Sequence, residues 1–248
     1  MSLRSERHPL LLCACAFFLL LVFLAAGACT FFLSSLPVSG TMASAGATSV
    51  CVILDPGHGG EDGGAVGVNG VLEKDLNLTV ALGLAALLRE AGVEVILTRT
   101  DDRLLYGEAG NIKGHRKEND LKNRLEIAKG RPDALFVSIH MNTFSVAKYS
   151  GLQVYYAETE GSRDLAERIQ SAARTRLQPD NHRKVHAASS SIYLLRNAVG
   201  RAVLVECGFL SNPEECARLS EKDYQSELCF SIFCGMMEYI NATEEKTA

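Results

Sequence analysis

The sequence predicts an α/β protein. A single three-layer α/β/α domain, built on a mostly parallel (mixed) sheet of about six strands, is preceded by one N-terminal transmembrane or signal helix. Three observations carry this. Short apolar runs alternate with stretches whose apolar residues recur at helical spacing, the order that builds a parallel sheet. A glycine-rich segment with Gly57, Gly59, Gly60, Gly63, Gly64, Gly67 and Gly70 follows the first of these runs. Residues 9–33 carry no charge and only Thr30 as a polar side chain.

The elements follow in chain order. Residues 1–8 contain Arg4 and Arg7 and are expected on the cytoplasmic side, because no charge follows the apolar run until Asp55. As a helix, residues 9–33 would be roughly 37 Å long, enough to cross a hydrocarbon core of about 30 Å. The run is apolar on every face, unlike a core helix, and reads as a membrane anchor or a signal segment. Ala26-Gly27-Ala28 and Ala43-Ser44-Ala45 offer small-residue cleavage sites for the second reading. Residues 34–49, rich in Ser, Gly, Ala and Thr, form a linker, and residues 50–240 are one domain by length.

Within that domain, Val50 to Leu54 is continuous and apolar, as in a strand covered on both faces. Leu76, Val80, Leu84, Leu87 and Leu88 then mark a helix that Gly92 closes. A second strand is expected over Val93 to Thr98, a polar loop over Asp101 to Glu118, and a helix over Asn119 to Lys129. Further strands are expected at Ala134 to Ile139, Gly151 to Tyr156, Ser191 to Leu195 and Ala202 to Glu206. A helix over Ser162 to Leu177 buries Leu165, Ile169 and Ala172; two more helices close the domain, and 241–248 is a polar tail.

Charge and cysteine usage exclude several classes. Of 25 Lys+Arg and 29 Asp+Glu, only Arg4, Arg7 and Glu6 precede the domain, which leaves 23 against 28 and a net charge of −5. That balance provides no electrostatic footprint for nucleic acid. Cys13, Cys15 and Cys29 lie in the apolar run; Cys51, Cys207, Cys216, Cys229 and Cys234 show neither C-x-x-C pairs nor metal spacing. Buried free thiols are expected, with one disulfide near the C-terminus as the alternative. The glycine-rich loop does not complete a nucleotide fingerprint, since Asp62 stands at its last position and no Gly-Lys-Ser/Thr follows.

The chemistry lies where expected strands end. Asp55-Pro56-Gly57-His58-Gly59-Gly60 follows the first strand, Glu73 opens the next helix, His140 ends the third strand in Ser-Ile-His-Met-Asn, and Glu206 ends the last. Crevices in open α/β sheets lie beyond the carboxyl ends of strands, so residues as far apart as 58 and 206 can meet there. Two imidazoles and one carboxylate leave a tetrahedral zinc ion one open position, the ligand count of a hydrolase. Singly, each residue has an ordinary reading: His58 as a loop residue, Glu73 as a helix-dipole partner, His140 as a core histidine. Glu206 after Ala-Val-Leu-Val needs a partner or a nearby cation to be buried, and strand alternation turns Cys207 to the other face. Asn142 is a candidate support for His140 or a turn residue, while His8, His115, His182 and His186 sit in polar contexts.

Together these motifs, in order from about Val50 to Tyr239, resemble the zinc-dependent N-acetylmuramoyl-L-alanine amidases of bacterial cell-wall metabolism, the amidase type 3 family. The resemblance is carried by Val-Ile-Leu-Asp-Pro-Gly-His-Gly-Gly, the Glu73 helix start, Ser-Ile-His-Met-Asn and Val-Glu-Cys-Gly-Phe-Leu-Ser-Asn. It implies that His58, Glu73 and His140 bind Zn2+, that Glu206 is catalytic, and that the substrate is peptidoglycan. Gly114 to Leu121, the single N-terminal apolar segment and the lack of a wall-binding module are similar to the germination- and sporulation-specific CwlD subgroup. That subgroup implies a role in the spore cortex, with a polysaccharide deacetylase acting next to form muramic δ-lactam; the uncharged segment and its flanks place the site on the extracytoplasmic face of the membrane or in the secreted state. Cys207 and Val199-Gly200-Arg201 depart from the commoner family pattern without touching a ligand position. Arg99, Asp101 and Arg196 are candidates to line a substrate groove or to make structural ion pairs. The alternatives to a wall amidase are a zinc peptidase acting within the stem peptide and a catalytically silent peptidoglycan-binding module.

Overall fold

The computed structural model describes residues 50–107 and 110–247. The expected cytoplasmic N-terminus, membrane or signal segment and linker lie outside the described residues.

Six strands form one sheet in the order β2-β1-β3-β6-β4-β5. They are β1 (Cys51–Pro56), β2 (Glu94–Leu97), β3 (Leu135–Asn142), β4 (Gln153–Tyr156), β5 (His186–Ala187) and β6 (Ala202–Phe209). The pairs β1/β2, β1/β3, β3/β6 and β4/β5 are parallel, whereas β4 runs antiparallel to β6. The helices are α1 (Glu73–Glu90), α2 (Arg116–Lys129), α3 (Ser162–Arg176), α4 (Tyr193–Arg196), α5 (Pro213–Leu219) and α6 (Lys222–Thr247).

Strand alternation divides the core into two clusters on opposite faces of the sheet. Val52, Leu54, Leu135, Val137, Val203 and Val205 pack under α1, α3, α5 and α6. Cys51, Ile53, Phe136, Ala202 and Leu204 point the other way, against Leu125 of α2 and Leu194 and Leu195 of α4. The expected three layers are therefore present. On this second face the apolar residues give way to polar ones toward the carboxyl ends of the strands: Ile53 is followed by Asp55, Phe136 by Ser138 and His140, and Leu204 by Glu206.

Three expectations need correction. The segment expected as a strand over Ser191 to Leu195 contains α4 instead, and the edge strand is the earlier His186–Ala187, paired with Tyr155 and Tyr156. A four-residue apolar run does not reveal its period; burial of Leu194 and Leu195 against the sheet selects a helical turn, while the exposed edge tolerates the polar pair His186–Ala187. The third and last strands run beyond the expected ends, so His140 and Glu206 lie inside strands rather than at their ends. The polar tail from Asn241 to Thr247 continues α6. All five cysteines of the described domain are free thiols; only Cys234 is not fully buried.

Candidate metal centre

The loop after β1 begins with the Gly57 amide donating to the Ile139 carbonyl at 3.0 Å, which ties it to β3. A Cβ at Gly57 would overlap the His140 imidazole, so only glycine lets the two segments approach this closely. His58 adopts φ 62° and is the one non-glycine residue with positive φ among the described residues. This left-handed conformation, which histidine tolerates better than most residues, turns its imidazole toward α1 and β3. Gly59 and Asp62 exchange backbone hydrogen bonds at 3.0 Å, and Asp62 Oδ2 lies 2.8 Å from His58 Nδ1. The second ring nitrogen, Nε2, then faces Glu73.

Glu73 is the first residue of α1, as expected for a carboxylate at a helix N-terminus, but its side chain does more than complement the dipole. Its Oε2 accepts from the Ala65 amide at 2.7 Å. Its Oε1 lies 2.9 Å from His140 Nδ1 and 3.2 Å from His58 Nε2, and accepts from the Met141 amide at 3.2 Å and from Asn77 Nδ2 at 3.3 Å. Burial disfavours the charge on Glu73, yet the two histidines outweigh it and hold the carboxyl well below its usual range. Burial likewise opposes a charge on His58, but Asp62 and Glu73 raise it to about 9.

The donor atoms of His58, Glu73 and His140 all lie within 4.8 Å of one another. Bonds of about 2.0–2.1 Å at tetrahedral angles put neighbouring donors about 3.3 Å apart, close to the 2.9 and 3.2 Å seen here. The ring nitrogen of His58 away from the cluster is held by a carboxylate, the arrangement that fixes a metal-binding tautomer. Two imidazoles and a carboxylate thus fit zinc by type, number and spacing.

Glu206 stands beside this cluster. In the β3/β6 register it is paired with His140, and both point to the same face. Its Oε2 is closed from solvent with no hydrogen-bond partner among the described residues. Burial raises its carboxyl to about 7; Glu73 adds to the rise, while His140 and His58 oppose it. Cys207 points into the opposite core cluster, as alternation requires.

A buried polar layer under the site was not legible in the sequence. Arg124 Nη1 contacts Asp55 Oδ1 and the Pro56 carbonyl, each at 2.7 Å, its Nε meets Asp120 at 2.8 Å, and its Nη2 donates to the His58 carbonyl at 2.7 Å. Arg99 donates to the carbonyls of Pro56, Gly57 and Lys74 at 2.8–3.0 Å. It is a buried clamp on the ligand loop, not a groove residue. Asp101 pairs with Arg103 at the surface, and among the described residues the Arg196 side chain reaches only the Ser190 carbonyl. Among the described residues Asn142 makes no hydrogen bond to His140; its carbonyl accepts from the Leu210 amide at 2.8 Å. His115, His182 and His186 are exposed. Asp62, missed as a support for His58, sat four residues away in the same loop; helix α2 delivers Arg124 from 66 residues downstream, for which the sequence held no signal.

Comparisons with known proteins agree with this geometry. Residues 52–238 match the Amidase_3 family model, described as N-acetylmuramoyl-L-alanine amidase. The chain is 37% identical over 208 residues to the germination-specific N-acetylmuramoyl-L-alanine amidase of Bacillus subtilis, covering 83% of this chain and 82% of the relative. Its fold is similar to that of the CwlD amidase from Clostridioides difficile, solved in complex with the GerS lipoprotein, with a TM-score of 0.74 and 38% identity over 78% of this chain and 99% of that one. The amidase AmiC2 of Nostoc punctiforme is 32% identical at a TM-score of 0.65, over 77% and 97% of the two chains. With the family model spanning β1 through most of α6, and so every strand that carries a candidate ligand, this chain belongs to the Amidase_3 family of N-acetylmuramoyl-L-alanine amidases.

Proposed function

We propose that the chain hydrolyses, in peptidoglycan, the amide joining the lactyl group of N-acetylmuramic acid to the first L-alanine of the stem peptide. His58, Glu73 and His140 hold zinc, and Glu206 carries the proton. The observation that supports this most directly is the convergence of three donor atoms beside a buried carboxylate oxygen without a partner.

Zinc bound there supplies a Lewis acid that acidifies a water and polarises the scissile carbonyl. The chain's own residues do the rest. Glu73 and Asp62 orient the two imidazoles, and the amides of Ala65 and Met141 fix Glu73. Glu206, raised to about 7 and level with His140, accepts a proton from the attacking water and returns it to the leaving amine. Glu206→Gln keeps the shape of the site but removes the proton carrier. We expect it to retain zinc by metal analysis while muropeptide release falls by a factor of about 100 or more; near-normal turnover would overturn the assignment. Mass spectra of the digest distinguish cleavage at the lactyl amide from a cut within the stem peptide.

The proposed setting is the maturation of the spore cortex and hence germination, supported by the germination-specific Bacillus subtilis relative. There the product would be a muramic acid without its peptide, a substrate for a deacetylase that leads to δ-lactam. The uncharged run at residues 9–33 supports anchoring at the extracytoplasmic face of a membrane, or secretion after cleavage.

A further inference from the structure

We propose that Arg183 is the anion-recognition residue of the substrate groove and binds a carboxylate on the second or third residue of the stem peptide. This rests on the amidase reading above and adds the substrate's charge to it.

The register places three residues side by side across the sheet: His140 on β3 pairs with Glu206 on β6, and Glu206 pairs with Gln153 on β4. Next to Gln153 opens a groove of about 240 Å3 lined by Asn142, Tyr149, Gln153, Tyr155, Phe209 and Arg183. The groove borders Glu206, because Gln153, which lines it, is the β4 partner of Glu206 in the sheet.

Arg183 is built into this groove. Its Nε donates to the Ser150 carbonyl at 2.7 Å and its Nη1 to Gln153 Oε1 at 2.9 Å. Its guanidinium lies over the Phe209 ring at 4.4 Å and the Tyr149 ring at 5.8 Å. These contacts fix the plane of the group and leave Nη2 without a hydrogen bond among the described residues. No carboxylate of the described residues is within 4.0 Å of it. Glu215, the acidic side chain whose carboxyl Arg183 influences, spends both oxygens on the amides of Gly151 and Phe209. A fixed, half-buried guanidinium with a free donor and no carboxylate of the described residues paired with it suits a planar anion.

The spacing selects the position. Adjacent strands are about 4.8 Å apart, so Gln153 lies roughly 10 Å across the sheet from His140. An extended peptide advances about 3.3–3.6 Å per residue. A stem peptide whose first residue leaves from the metal centre has its second and third residues about 3.5 and 7 Å along, so that a carboxylate carried on one of their side chains spans the remaining distance to Arg183. A carboxylate there meets the guanidinium; the corresponding carboxamide lacks the charge.

The test uses the zinc-loaded full chain and two muramyl peptides, one with free carboxylates at the second and third residues and one with both amidated. Wild type should prefer the free acid by about tenfold or more in kcat/KM, the scale of a charge-assisted hydrogen bond. Arg183→Gln should bring that ratio near one, mainly by raising KM for the acid. Arg183→Lys, which keeps charge but loses the fork, should be intermediate. Calorimetric titration of the zinc-free protein with the two corresponding free peptides reads the same preference without turnover, and retained zinc content verifies that the variants fold. A wild-type ratio of one, or a ratio unchanged in Arg183→Gln, would overturn the proposal. Failure of wild type to cut either substrate would instead overturn the amidase reading and this inference with it.

Discussion

Asp62 shows how much of this centre depends on groups beside the ligands. Its carboxylate fixes the His58 ring from behind, at 2.8 Å, and Lys117 lies 3.0 Å from the same oxygen. Asp62→Ala should lower zinc affinity by about 10- to 100-fold, measured by competition with a chelator, with activity recovered at excess zinc. Glu206 gives a pH prediction with a definite sign. Without metal its carboxyl is raised to about 7 by burial; a cation on the neighbouring ligands favours the carboxylate and lowers that value. The acid limb of kcat/KM for the zinc enzyme should therefore have its midpoint below 7. A midpoint at or above 7 would remove Glu206 as the proton acceptor. At this scale the sequence pointed to the four residues that the structure brings together, because their types and neighbours carry the signal. It did not expose Asp62 as a partner of His58, since one acidic residue in a polar loop looks like any other.

Elements meet at Arg124, where α2 is joined to the end of β1. Asp55 is 0% and Arg124 1% exposed, and removing one partner of such a pair leaves an uncompensated buried charge, at a cost of about 3–5 kcal/mol. Arg124→Met should lower Tm by roughly 6–20 °C, at about 2–4 °C per kcal/mol for a domain of this size. Burial alone would raise the Asp55 carboxyl, but Arg124, Ser138 and Thr98 overcome it and hold it below the ordinary 3.8. The folded chain thus resists protonation more than the unfolded one. Its stabilisation is complete above about pH 5 and is lost as pH falls through the lower folded value. Asp55→Asn should flatten the acid side of a Tm-against-pH curve. At the junction of β1 and β3, Gly57→Ala forces a Cβ into the His140 ring and should weaken zinc binding at least tenfold at a stability cost of about 1–3 kcal/mol. Most helices and the central strands were legible from their periods and lengths. The segment near Ser191 was not, because burial against the sheet, rather than its own pattern, made it a helical turn.

For the whole domain, the proposed zinc site predicts that folding and metal binding are coupled. The ligands come from the loop after β1, from α1 and from β3, and the unfolded chain holds no such site. At zinc a hundredfold above its dissociation constant, the folded state gains about 2.7 kcal/mol, or roughly 5–11 °C in Tm; chelation should reverse it in a calorimetric scan. Unchanged Tm on chelation would contradict a site held by three elements. The sequence by itself determined the layer order, the candidate ligands His58, Glu73 and His140, the neighbouring Glu206 and the family, because each is written in residue type, spacing and motif order along the chain. Tertiary structure alone decided that Arg124 and Arg99 clamp the ligand loop, that Asp62 orients His58, and that Arg183 faces the groove beside Glu206. Those roles depend on strand register and on helices returning across tens of residues. A charged side chain's sequence neighbours do not reveal which charge it will meet.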